Sequence, residues 1–136
     1  FDVSMAHEVL RHHVLAACTL KATGRTPAPG RDLLSGGVPC YGVYATADER
    51  HVAVGALELK FWQALCVAID RPQWAGSHWS LGLAAGGPES MALRAELAAV
   101  FAAAPLAHWV ERFDAVDACV TPVLQLEETL NHPVFR

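Results

Sequence analysis

The sequence predicts an α+β fold: a small domain with an antiparallel hairpin plus one further strand, packed with about four helices. Three observations carry this reading. Two alternating runs flank a polar turn in the middle of the first half, helical apolar spacing dominates on either side of them, and strands do not alternate regularly with helices as in a doubly wound parallel sheet. At 136 residues the chain is long enough for one core and too short for two comfortable ones.

Taken in order, Ser4 is placed to cap a helix that runs to about Ala22, with Met5, Val9, Leu10, Val14, Ala17 and Leu20 at helical spacing and Lys21 and Gly24 closing it. Residues 23–37 hold prolines and glycines in the pattern of a linker. In the hairpin, Tyr41, Val43 and Ala45 alternate with Gly42, Tyr44 and Thr46, and Val52, Val54 and Ala56 alternate with His51, Ala53 and Gly55. Asp48 and Glu49 form its tip. The period then becomes helical through Leu57, Phe61, Leu65 and Ile69, with Phe61, Trp62, Leu65 and Cys66 facing inward, until Asp70-Arg71-Pro72 ends the helix. Residues 74–88 read as a long loop in which Trp74 and Trp79 carry too much apolar area to leave in water. A helix follows over about residues 89–104. Pro105 starts another as its first helical residue, with Leu106, Trp109, Val110 and Phe113 as the stripe. Cys119 to Leu124 reads as a strand that Pro122 restricts to an edge, and Glu127 to Leu130 as a last short helix.

Composition narrows the function. Hydrophobic residues make up 53% and charged residues 18%, an apolar surplus that calls for surface covered by another domain or subunit. The net charge of −4 and the scattered Lys and Arg residues argue against a nucleic-acid partner. No run of 18 uninterrupted apolar residues suggests a membrane span, and the opening residues lack signal-peptide order, so the expected location is cytoplasmic. Cys18, Cys40, Cys66 and Cys119 stand far apart in apolar surroundings, the pattern of buried free thiols. His7, His12 and His13 lack the helical spacing of metal ligands, and no metal site is expected. Glu58 falls in the first turn of the helix after the hairpin, where the dipole favours a negative charge by about 0.3–1 kcal/mol. That position could serve a reaction or merely start a helix.

The residues Leu34 to Tyr44, the pair Ala47-Asp48, and Val54-Gly55-Ala56-Leu57-Glu58-Leu59-Lys60-Phe61 resemble the small-domain signature of the family III coenzyme A transferases, the CaiB/BaiF group, in its racemase-like branch. Asp2-Val3-Ser4-Met5 is similar to the segment leaving the family's large domain. Asp117 to Leu124 with Glu127-Glu128 resembles the strand and helix near the small domain's far end. The resemblance implies a parent enzyme whose absent large domain binds coenzyme A and whose chains interlock as a homodimer. Residues 1–30 would then be the helix and linker leaving that domain, and residues 31–136 the small α+β domain. The lack of an initiator Met and the ending Val134-Phe135-Arg136 fit the expectation of a piece cut from a longer protein.

In the racemases a His and an Asp of the large domain exchange the C2 proton of an acyl-CoA thioester through an enolate, and a small-domain Glu supports the His. Glu58 matches that Glu, while Tyr41 and Leu57 match residues lining the acyl pocket. The coenzyme A thioester is the substrate and no tightly bound cofactor is implied. Without its acid and base the chain itself is expected to be inactive. The alternatives are a fragment of a coenzyme A transferase, whose large-domain Asp acts as nucleophile, and a non-catalytic interaction or dimerisation module. One departure stands out: where the family's turn usually reads Asp-Gly, Asp48 is followed here by Glu49, which lacks easy access to positive φ.

Overall fold

A computed structural model describes residues 2–135 and bears out the α+β class. Strands β1 (Tyr41–Ala45), β2 (His51–Gly55) and β3 (Val120–Pro122) form an antiparallel sheet in that order, with Tyr44 opposite Val52 and Val54 opposite Val120. Pro122 lies on the β3 edge, where its missing N–H costs no ladder bond on the open side. Helices α1 (Met5–His12) and α2 (Val14–Thr23) precede the sheet; α3 (Leu59–Ala68), α4 (Pro88–Phe101) and α5 (Leu106–Phe113) follow β2, and α6 (Leu126–Asn131) follows β3. Short 3-10 turns at Pro72–Trp74 and Trp79–Leu81 give the long loop its shape.

The sheet has one buried face. Tyr44, Thr46, Val52, Val54 and Ala56 point inward onto Trp62, Leu65, Leu97 and Phe101, whereas Val43 on the other face is 54% exposed. In β1 the inward row is therefore the one led by Tyr44, because the register with β2 puts Tyr44 beside Val52 and its ring 5.4 Å from Phe101. Phe101 in turn meets Trp109 edge-on at 5.0 Å, and the Trp109 Nε1 donates to the Phe101 carbonyl at 2.9 Å. Such aromatic pairs add about 0.5–1.5 kcal/mol to what burial alone supplies.

The hairpin tip is tied to this core. Thr46 N–H donates to Arg50 O and Glu49 N–H to Thr46 O, which closes a three-residue loop with Glu49 at φ 60. This is the loop that pairs a type I turn with a left-handed residue, a place usually given to glycine. Asp48 accepts the Thr46 hydroxyl at 2.5 Å and the Leu106 N–H at 3.1 Å. Pro105, expected as the first residue of α5, sits instead at its N-cap, where its side chain offers no acceptor. Asp48 supplies one from across the fold.

Several expectations are corrected. The single first helix is interrupted at His13, Ser4 occupies the N-cap without a side-chain bond, and no residue of α1 or α2 is buried. The apolar residues Met5, Val9, Leu10, Val14 and Leu20 that carried its helical spacing are exposed on α1 and α2. Cys40 and Cys66 are buried, and burial pushes their thiols up to about 11 and about 12. Cys18 and Cys119, however, are exposed, because α2 is unpacked and Cys119 lies at the sheet's open end. Val110 is 43% exposed, since the inward stripe of α5 is spent on Leu106, Trp109 and Phe113.

Glycine reaches the left-handed conformation of Glu49 without a Cβ penalty. Glu49→Gly should therefore stabilise the fold by about 0.4–1 kcal/mol in urea unfolding, after the opposing gain in unfolded-chain freedom. A loss of stability would show that Glu49 is unstrained at φ 60.

Candidate functional site

The corner between β2 and α3 carries the acidic candidate. Pairing ends at Gly55, Ala56 is fully buried, and Leu57 folds back so that its N–H reaches Gly55 O at 2.9 Å. Glu58 then adopts an extended conformation (φ −83, ψ 140) as the N-cap of α3, one residue earlier than the first-turn position expected from periodicity. Its carbonyl accepts from the N–H groups of Phe61 and Trp62, at 3.1 and 3.2 Å. Its carboxylate makes no capping bond. The side chain is exposed and joins none of the ion pairs among the described residues. A glutamate is one methylene too long for the capping geometry that Ser, Asp and Asn fill, so backbone fixes its position while its charge stays available.

The same end of the sheet brings in the other candidates. Tyr41 opens β1 opposite Gly55, and Gly55 N–H donates to Cys119 O at 2.8 Å just before β3. Tyr41 is half-buried and lines a shallow cavity of about 290 Å³ on the outer sheet face, with Val43, Ala53, Gly55, Cys119 and Thr121. Leu57 and Glu58 do not line that cavity; they stand beyond it, where the chain turns from sheet to helix. Glu58 is close enough to be felt at Cys119, whose thiol is pushed up by desolvation first and by the charges of Asp117 and Glu58 next. Among the described residues no group of three His, Cys, Asp or Glu side chains is placed to hold a metal ion.

Two supports escaped sequence reasoning. Arg94 of α4 donates from Nη1 to Val38 O, Tyr41 O and Tyr44 Oη at 3.1, 3.3 and 3.2 Å, fixing the backbone at Tyr41. Gly42 makes room for it, since a Cβ there would lie 2.6 Å from Nη1. The signal was an arginine between Leu93 and Leu97 on the inward side of an alanine-rich helix. The second support is the loop after α3. Trp79 Nε1 donates to Leu57 O at 2.8 Å, and buried His78 beside it pairs its Nδ1 with Ser80. The indoles were expected to need cover, but which carbonyl one of them would reach depends on the path of the loop.

The sequence model described as CoA-transferase family III matches residues 1–136. The chain belongs to CoA-transferase family III. Within this family it is 40% identical to the alpha-methylacyl-CoA racemase of Mus musculus and 38% identical to that of Homo sapiens, in each case over 76% of this chain and 26% of the relative. The chain thus spans about a quarter of the length of those two relatives. The fold resembles the crystal structure of a hypothetical protein of Mycobacterium tuberculosis, with a TM-score of 0.54 at 19% identity, covering 90% of this chain and 32% of that one. A single-residue variant of the same protein gives a TM-score of 0.54 at 21% identity, covering 90% and 31%.

His78 gives this family III chain a pH dependence. Desolvation lowers its pKa from the ordinary 6.5, with the Ala56 and Leu57 backbone partly opposing. The unfolded chain therefore takes up a proton first as pH falls, so stability is complete above about 6.5 and is lost as pH falls through the folded value. The Thr46 hydroxyl and Leu106 N–H hold Asp48, and the Gln125 N–H and Arg50 hold Glu128, below the usual carboxylate range. Their contributions are lost only in more acidic solution. Urea unfolding at about pH 7 and about pH 5 should show a drop for the wild-type chain and a smaller one for His78→Gln. Equal drops would remove His78 as the source.

Proposed function

We propose that this chain is the small domain of an acyl-CoA racemase, with residues 31–136 as that domain and residues 1–30 as the helix and linker leaving a larger coenzyme A-binding domain. The observation that carries the reading is the carboxylate of Glu58, held by backbone at a strand-to-helix corner and engaged by neither a cap nor an ion pair among the described residues. The 40% identity to a protein named as an alpha-methylacyl-CoA racemase supports it.

The chemistry follows from the substrate. The proton at C2 of an acyl thioester is weakly acidic, and inverting that centre requires removal on one face and return on the other. An acid and a base of the large domain would move the proton. Glu58 would orient the imidazole among them and stabilise its charged form, while Tyr41 and Leu57 would border the acyl chain. The outer sheet face and the exposed stripe of Met5, Val9 and Leu10 would be covered by the large domain or a second subunit of a homodimer. The family description favours one second reading, a coenzyme A transferase, in which Glu58 would have no imidazole to assist.

The test is exchange of the C2 hydrogen of 2-methylacyl-CoA with deuterated solvent, run on the full-length protein. Glu58→Gln should lower turnover by on the order of 10²-fold. It should change unfolding free energy by no more than a few tenths of a kcal/mol. The 136-residue chain alone should show no exchange. Undiminished exchange in full-length Glu58→Gln would return Glu58 to the role of a helix-start residue.

A further inference from the structure

We infer that His78 and Trp79 are positioning residues that hold the Leu57–Glu58 corner in register with the sheet; the inference rests on the reading of Glu58 proposed above.

The corner needs such a hold. Ladder pairing stops at Gly55 and the helical bonds begin with the Glu58 carbonyl, so the peptide between Leu57 and Glu58 belongs to neither system. Its carbonyl oxygen is met by the Trp79 indole N–H at 2.8 Å, from 22 residues further along the chain. This carbonyl lies in the peptide plane that ends at the Glu58 Cα, so its direction, together with the Glu58 φ of −83, sets where the Cα–Cβ bond points. Trp79 is 39% exposed, which makes it a poor core residue but a good strut at a surface corner.

His78 aims the strut. It is 1% exposed and is the N-cap of the 3-10 turn Trp79–Leu81, where its Nδ1 accepts the Ser80 N–H at 3.3 Å. With Nδ1 as the acceptor, a neutral ring carries its proton on Nε2, a buried atom that meets no hydrogen-bond partner among the described residues. The backbone of Ala56 and Leu57 is nonetheless close enough to act on the ring electrostatically. His78 and Trp79 also pack against each other at 5.6 Å. The loop is anchored at its other end by the Trp62 Nε1, which donates to Trp74 O at 3.0 Å. The loop is thus fixed to α3 at its start and to the corner through Trp79.

The variant that isolates this role is Trp79→Phe, which keeps most of the ring and removes the N–H donor. In the full-length protein, C2 hydrogen exchange of 2-methylacyl-CoA should fall on the order of 10-fold in kcat with KM unchanged, as for a misaimed rather than missing group. In a Glu58→Gln background the same change should cost less than about 2-fold, because the carboxylate it aims is already neutral. Amide exchange over residues 56–61 should quicken, while that of the central strand β2 should not. Leu81→Ala, at an exposed neighbour on the same turn, should leave kcat at the wild-type level and so controls for general disturbance of the loop. Wild-type kcat in Trp79→Phe, or an equal fold-loss in both backgrounds, would overturn the inference. If Glu58→Gln lowers exchange and Trp79→Phe does not, the reading of Glu58 stands and this inference alone falls. If Trp79→Phe lowers exchange and Glu58→Gln does not, both fall, since the loop would act on something else.

Discussion

The seating of Tyr44 is the contact on which the rest of the structure depends. Its ring lies 5.4 Å from Phe101 on one side and 4.9 Å from the Arg94 guanidinium on another, and its hydroxyl donates to Pro39 O at 2.6 Å. One residue therefore joins the first strand, helix α4 and the chain entering the sheet. Burial raises the phenol's pKa, with the Arg94 charge opposing, so the hydroxyl remains a donor throughout the ordinary pH range. Removing the ring would open a cavity beside Phe101 and leave Arg94 over empty space, a loss of the about 3–5 kcal/mol class for large aromatic truncations. The position of Tyr41 follows from the same seating, because Arg94 reaches both residues from one nitrogen.

A sheet of this size can bury only one face with the helices available. α3, α4 and α5 cover the Tyr44 side, and nothing among residues 2–135 covers the other, where Val43 is exposed. Helices α1 and α2 are likewise amphipathic or apolar without a buried residue. These two surfaces contribute to the apolar surplus in composition, as do other exposed apolar residues such as Val67, Leu126 and Leu130. The exposed ion pair between Arg11 and Glu8 contributes little to holding the first helix, so its order depends on what its apolar side meets.

The candidate site shows how a short polar corner can be both exposed and well positioned. The Glu58 carboxylate faces solvent, yet its backbone is set by Gly55 before it, by the first turn of α3 after it, and by Trp79 from the side. Tyr41 reaches the same end of the sheet by register alone, opposite Gly55. Rigid elements with an unspent charge at their junction are the arrangement on which positioned catalysis relies.

By itself the sequence determined the elements and the family. Alternation placed the hairpin, helical spacing placed α3, α4 and α5, Pro122 marked an edge strand, and the Gly-Ala-Leu-Glu run marked the corner. These are local properties, written in neighbours two to four residues apart. What only the tertiary structure decided is which partner each element meets. Asp48 caps α5 from 58 residues away, Arg94 settles over Gly42 and Tyr44, Trp79 reaches Leu57 O, and the stripe of α1 meets no core. A hydrophobic period states that a face is apolar but not what lies against it. A polar side chain states that it can bond but not which distant carbonyl the fold will bring within 3 Å.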